Sequence, residues 1–177
     1  WLRSVRVVGA DRTPASLFAK IAIVLIAGCA HAASVAWPFS FGLSAGMPVW
    51  WLQLLALGIL AWMLDQATGW RQATLLGWVF AVSWLTGTFW WLFISMHTYA
   101  GLAAVLAALA VMGLAAVLAL YYAAICGAFV ALAPVKRAWK AIIFAALWLL
   151  AEMARGIWLT GFGWGASGYA HVDGMLA

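Results

Sequence analysis

Glu152-Met-Ala-Arg155-Gly156-Ile-Trp-Leu-Thr160-Gly161-Phe162-Gly163-Trp164-Gly165-Ala-Ser-Gly168-Tyr169-Ala-His171-Val-Asp173-Gly174 mixes charge, glycine and aromatic rings more densely than any other stretch of the chain. Glu152 and Arg155 lie three residues apart, so on a helix they share one face and can pair. They arrive as an apolar run ends, which marks a membrane boundary. The glycines that follow allow backbone conformations closed to other residues, while Phe162, Trp164 and Tyr169 carry rings suited to a water and lipid interface. The stretch predicts a transmembrane helix that emerges into a shaped loop on the membrane surface.

Composition extends that reading to the whole chain. Of 177 residues, 69% are hydrophobic and 7% charged, 14 are Trp, and the mean hydropathy is +1.09. A soluble domain carries about a quarter charged residues, so the expected class is an all-α integral membrane protein. The net charge of +5 does not point to nucleic acid, because the Lys and Arg residues sit in short segments between apolar runs rather than on one face. Cys29 and Cys126 both fall inside apolar runs, where a free thiol acts as a small buried hydrophobe. They form neither a disulfide framework nor a metal spacing.

In chain order, residues 1–19 carry Arg3, Arg6, Asp11 and Arg12 and read as a basic cytoplasmic leader. A transmembrane domain over 20–157 follows, with about five spans at 21–36, 49–64, 73–94, 105–132 and 141–157; the first, with its flanks, approaches the roughly 20 residues a crossing helix needs. Leu25-Ile-Ala-Gly28-Cys29 after a positive leader has the form of a lipoprotein signal, but the chain continues apolar instead of into a polar tether. Ser83, Thr86 and Thr88 can bond their own backbone. The uncharged stretch 102–132 exceeds one perpendicular crossing, so it is either tilted or begins as an interfacial segment. Within it Ala115, Ala119, Ala123, Gly127 and Ala131 recur every fourth residue, either by chance in an alanine-rich run or as a smooth stripe for a close helix neighbour. Residues 158–177 read as a periplasmic loop rich in glycine and aromatics. The chain begins with Trp and stops without a helix end or polar tail, so it reads as a truncated fragment.

Charge orients the spans. With the leader inside, eight of the nine Lys and Arg fall on cytoplasmic segments, and only Arg155 lies outside. His97 and the loop after Glu152 are then external.

The succession Trp91-Leu-Phe-Ile-Ser95-Met-His97-Thr-Tyr99-Ala-Gly101, then Glu152-Met-Ala-Arg155-Gly156 and Trp158-Leu-Thr160-Gly161-Phe162-Gly163-Trp164, then Gly168-Tyr169 and Asp173-Gly174, resembles the N-terminal membrane domain of bacterial apolipoprotein N-acyltransferase. Thr-Gly-Phe-x-Trp after Glu-x-x-Arg-Gly is the most specific part; it departs at Gly163, where many members have Pro. The resemblance implies a multi-pass enzyme of the bacterial inner (cytoplasmic) membrane. It would move an acyl chain from a phospholipid to the N-terminal amine of a diacylglyceryl-cysteine apolipoprotein. In the family the chemistry belongs to a nitrilase-like domain with a Glu, Lys and Cys triad: the thiolate takes the acyl group, Glu moves protons and Lys steadies the oxyanion. That domain is absent from this chain.

No catalytic residue is therefore expected here. Lys20, Lys136 and Lys140 are assigned to the cytoplasmic side, Cys29 and Cys126 lie within spans, and Glu152 is the sole Glu. The expected contribution is to anchor the enzyme and shape access for the phospholipid donor, the diacylated apolipoprotein and membrane lipid. Candidate access residues are Trp91, His97, Glu152, Arg155, Thr160, Gly161, Phe162, Trp164 and Tyr169. Glu152 with Arg155 is either a structural pair holding the helix end or a site that meets a head group or the catalytic domain. His97 is either a satisfied hydrogen-bonding residue or a substrate contact. Trp91 and Trp164 are interface anchors or acyl-chain contacts. His171 and Asp173 alone make a poor metal site, and no cofactor is implied. A non-catalytic polytopic membrane protein or a transporter subunit would also explain the spans. However, a transporter should place ionisable residues or broken helices at mid-membrane, and a structural protein gives no reason for the dense outer loop.

Overall fold

The computed structural model describes residues 16–132, 136–158 and 161–172, so residues 1–15 of the basic leader and Thr160 lie outside the described residues. The described residues form helices and loops without a strand. In order these are α1 (Leu17–Val35), α2 (Trp50–Asp65), α3 (Trp70–Thr88), α4 (Trp90–Ile94), α5 (Ala104–Leu132) and α6 (Arg137–Ile157). A π-helical turn, Ser95–Tyr99, continues α4, and a 3₁₀ turn, Ser167–His171, closes the final loop.

Local chemistry sets the boundaries. Ser16 caps α1 by accepting from the Ala19 N–H at 3.2 Å, and α1 ends in the extended Ala36, just ahead of Trp37-Pro38. The connection to α2 is an ordered loop, pinched by Trp37 N–H to Met47 O at 2.9 Å and Gly46 N–H to Trp37 O at 2.8 Å. The stretch expected as one span at 73–94 is broken: α3 stops at Thr88, and the α4 segment leaves it bent by 51°. The Thr88 hydroxyl bonds back to Trp84 O at 3.0 Å, which loosens a helix end. The turn at Phe89 then buries that ring against Phe162 while Trp90 swings outward, 62% exposed. Ser83 also bonds its own backbone, to Val79 O and Phe80 O, whereas Thr86 finds no partner.

The stretch after Gly101 is one unbroken helix. With 29 residues α5 is about 43 Å long at 1.5 Å per residue, so it is a single long rod rather than an interfacial segment joined to a span.

Helix α3 is the centre of the bundle, packed most extensively on α5 and next on α1. Leu76, Phe80, Ala81, Trp84 and Leu85 are wholly buried. The backbones come close because small residues face one another. A Cβ on Gly77 would strike Cys126, one on Gly127 would strike Thr74, and one on Gly28 would strike Phe80 O and Ser83. Ala115, Ala119, Ala123 and Gly127 of the four-residue stripe are buried, so the stripe is an interface, while Ala131 lies exposed beyond it. The two cysteines part company: Cys126 is buried at this contact, but Cys29 is exposed on α1, contrary to the expectation that both are internal. It faces outward because α1 turns Gly28 and His31, not Cys29, toward α3.

Helices α1 and α5 are long and apolar enough to cross a membrane, and the bent α3 and α4 segment makes a third if counted as one span. Helix α2 is apolar but shorter. Helix α6 packs mainly against α5, leaving an open groove between itself and α2.

Candidate functional site

The pair at the end of α6 forms as its spacing requires. Arg155 Nη2 donates to Glu152 Oε2 at 3.2 Å. The pair is withdrawn into the protein: the Arg155 side chain is fully buried and that of Glu152 only 13% exposed. A guanidinium taken out of water must have its donors satisfied, and four of the five N–H groups find acceptors. Nε donates to the Tyr122 hydroxyl at 2.8 Å, and Nη1 to Phe162 O at 2.7 Å and Trp164 O at 2.8 Å. The guanidinium also lies 5.9 Å from the Trp84 ring centroid.

This one side chain therefore ties three elements together: α6, α5 through Tyr122, and the loop after α6 through two backbone carbonyls. The loop is shaped to meet it. Phe162 N–H returns to Arg155 O at 2.8 Å. Gly161 has φ +73°, and a Cβ there would collide with Gly156 O, so no other residue fits. Gly165, at φ +69°, is pressed against Thr88 in the same way.

Glu152 anchors a second set of contacts. Its Oε1 accepts from the Tyr122 hydroxyl at 2.8 Å and from Ser167 Oγ at 3.0 Å. Ser167 in turn accepts from Trp148 Nε1 at 3.1 Å, and its carbonyl accepts from buried Gln53 Nε2 at 2.6 Å, which brings in α2. His31 Nε2 lies 3.4 Å from Ser167 Oγ. Because the hydroxyl proton points at Glu152, the imidazole must carry its proton on Nε2 to bond there, and its buried Nδ1 has no partner. Rings enclose the cluster: His31 to Trp84 at 4.3 Å, Tyr122 to Trp148 at 4.9 Å, and Trp84 to Tyr122 at 5.0 Å.

Over this buried base stands an aromatic surface. Trp91 and Trp164 rings are 5.3 Å apart. With Tyr169, Trp90 and Pro48 they line a crevice of about 410 Å³. A neighbouring crevice of about 620 Å³ runs between α1, α3 and the Trp37 loop, and both share Ala32, Ala36, Gly87 and Trp90 as walls.

Of the nine access candidates, the fold gathers Trp91, Glu152, Arg155, Gly161, Phe162, Trp164 and Tyr169 at one end of the bundle. Thr160 is outside the described residues. His97 stands apart, exposed, with Nδ1 2.8 Å from Leu102 O and its ring against Phe93. The residues that sequence reasoning passed over are His31, Gln53, Tyr122, Trp148 and Ser167. The available signal was polarity: His31, Gln53 and Tyr122 are hydrogen-bonding groups inside apolar runs, where an unpaired group is costly.

The described residues form a bundle of apolar helices, two of them long enough to cross a membrane, with a buried ion network beneath an aromatic crevice at one end. Residues 32–177 match the apolipoprotein N-acyltransferase N-terminal domain, and the chain belongs to that family. It is 56% identical over 165 residues to the apolipoprotein N-acyltransferase of Verminephrobacter eiseniae, covering 91% of this chain and 30% of that protein. To the apolipoprotein N-acyltransferase of Ralstonia nicotianae it is 42% identical over 131 residues, covering 72% of this chain and 25% of the relative. To that of Bordetella bronchiseptica it is 39% identical over 170 residues, covering 88% and 30%. The chain thus spans about a third or less of the length of these relatives.

Proposed function

We propose that this chain is the membrane domain of an enzyme that transfers an acyl chain from a phospholipid to the N-terminal amine of diacylglyceryl-cysteine apolipoproteins. Its own work is to anchor the enzyme in the bacterial inner membrane and to shape the entry of lipid and lipopeptide. Five spans carry it: α1, α2, α3 with α4, α5 and α6. The N-terminal leader lies in the cytoplasm, and the loop over 158–177 in the periplasm. The observation that carries the reading is Arg155, which holds Phe162 O and Trp164 O and so fixes the aromatic wall facing Trp91.

On this reading Trp91, Trp164 and Tyr169 contact acyl chain or head group, Gly161 and Phe162 set the wall, and Glu152 and Arg155 position it; His97 and Thr160 are carried as access residues by the sequence resemblance alone. A lipid tail entering sideways meets aromatic rings and small residues. Glu152 has both oxygens engaged by Tyr122, Ser167 and Arg155, which suits a support rather than a proton carrier.

In the full-length protein, Trp164→Ala or Glu152→Gln should slow lipopeptide acylation while the acyl-enzyme still forms from phospholipid. Single-turnover thioester formation is the measurement. Loss of more than about a hundredfold in that step, as removal of a general acid or base would give, would make Glu152 a catalytic group and sink the positioning role. Orientation is tested separately with single cysteines at Arg137 and Ala166, in a background lacking Cys29 and Cys126. A thiol reagent that cannot pass the membrane should label position 166, not 137, in intact spheroplasts; the reverse pattern would overturn the topology.

A further inference from the structure

The groove between α2 and α6 shares no lining residue with the crevice at Trp91 and Trp164, although at one end it reaches Trp148, Glu152 and Ser167 of the buried network. It encloses about 880 Å³ and is walled by Leu54, Gly58 and Ala61 on one side and Ala141, Ala145 and Leu149 on the other. From Lys140 at one end to Glu152 at the other is twelve residues of α6, about 18 Å at 1.5 Å per residue. That is close to the depth of one leaflet, about half of a 30 Å hydrocarbon core.

The two ends differ in what they offer a head group. At the Glu152 end the one Lys or Arg among the described residues, Arg155, is fully buried and already bonded to four acceptors. At the other end Lys140 is part-exposed and paired with Asp65. An ammonium has three donors, and among the described residues Asp65 engages one of them. Lys136, one turn earlier, is exposed, and Arg137 adds a third basic residue to the same short sequence. Trp62 lines the groove beside this end, a placement typical of the interface.

From the apolar walls, the length and this one-sided charge, we infer that the groove holds an acyl chain of an anionic phospholipid whose phosphate sits at Lys140 and Lys136. Chain and head group thus enter from the leaflet opposite the outer crevice. The inference rests on the membrane reading but not on acyl transfer. The lipid is a bound structural ligand rather than the acyl donor, since its ester carbons lie at the far end from Trp164.

The test is native mass spectrometry of the full-length protein in mild detergent, titrated with phosphatidylglycerol or phosphatidylethanolamine. Phosphatidylglycerol should be retained more tightly. Each basic residue near a membrane surface adds about fivefold to anionic lipid binding, so Lys136→Ala with Lys140→Ala should weaken retention about 25-fold. Asp65→Asn, which frees Lys140, should strengthen it by about fivefold on the same scale. Gly58→Leu with Ala145→Leu fills the groove, leaves every charge in place, and should abolish retention. Equal retention of the two lipids, or phosphatidylglycerol binding unchanged in the groove-filling variant, would overturn the proposal; the second result would mean that protein covers the groove. If the double alanine variant does not fold, Asp65→Asn still decides, because unchanged or weaker binding there contradicts a phosphate at Lys140. Lipopeptide acylation by the same variants reports on the catalytic reading independently.

Discussion

Lys140 and Arg155 sit near opposite ends of α6, and each faces a carboxylate, yet the two pairs have little in common beyond charge. Lys140 and Asp65 meet at the bundle's rim with side chains 29% and 54% exposed. Water and counter-ions screen such a pair, and it is worth about 0–1 kcal/mol. Arg155 and Glu152 are shut away with Tyr122, Ser167 and two loop carbonyls. There the charges are held by directional bonds, and removing one partner strands the other without water. The difference teaches that an ion pair organises structure in proportion to its desolvation and its extra bonds, not its charge.

The largest effect should come from Arg155→Ala. It leaves Glu152 buried without its cation and frees Phe162 O and Trp164 O, so a loss of about 3–5 kcal/mol is expected. Unfolding in mixed micelles, followed by tryptophan fluorescence, measures it. Arg155→Lys should rescue little, because a compact ammonium cannot span the hydroxyl, the carboxylate and two carbonyls. A loss under 1 kcal/mol for Arg155→Ala would erase the contrast between the two ends.

Gly161→Ala comes next. A left-handed conformation costs a non-glycine residue about 1–3 kcal/mol, and the collision with Gly156 O places this change toward the top of that range. The same unfolding assay should show the loss, with altered emission from the Trp91 and Trp164 pair as the loop shifts. Unchanged emission would mean that the loop is not held by this turn.

Ser167→Ala should cost about 1–3 kcal/mol, the penalty for leaving buried partners unsatisfied, since Glu152, Trp148 and His31 all meet that hydroxyl. The double mutant with Glu152→Gln should be less than additive, because the two share one network. Full additivity would show that Ser167 acts elsewhere. Smallest of all is Lys140→Ala, expected at or below about 1 kcal/mol and shrinking further in high salt. A salt-insensitive loss of several kcal/mol would make the Lys140 pair the equal of the Arg155 pair.

The sequence by itself determined the class and the helices. Runs such as Ile21–Ala36 and Leu102–Leu132 are too apolar and too long to be anything but buried or membrane helices, and Glu152 and Arg155 are bound by the 3.6-residue turn to share a face. Those are local facts, set by residue type and helical period. The four-residue stripe of α5 was equally visible, but only the facing surface of α3, with Gly77 opposite Cys126 and Thr74 opposite Gly127, makes it an interface. The break at Phe89 was hidden for a related reason. Nothing in Trp-Leu-Thr-Gly-Thr-Phe-Trp-Trp forbids helix, and the bend follows from Phe89 finding Phe162, more than seventy residues away in the chain. Likewise His31, Gln53, Tyr122, Trp148 and Ser167 come from four helices and a loop, and no spacing in the chain reveals that they converge on Glu152. Only the tertiary structure decided that, because burial and hydrogen bonding belong to neighbours in space, and a buried Arg155 draws its acceptors from wherever the fold can bring them.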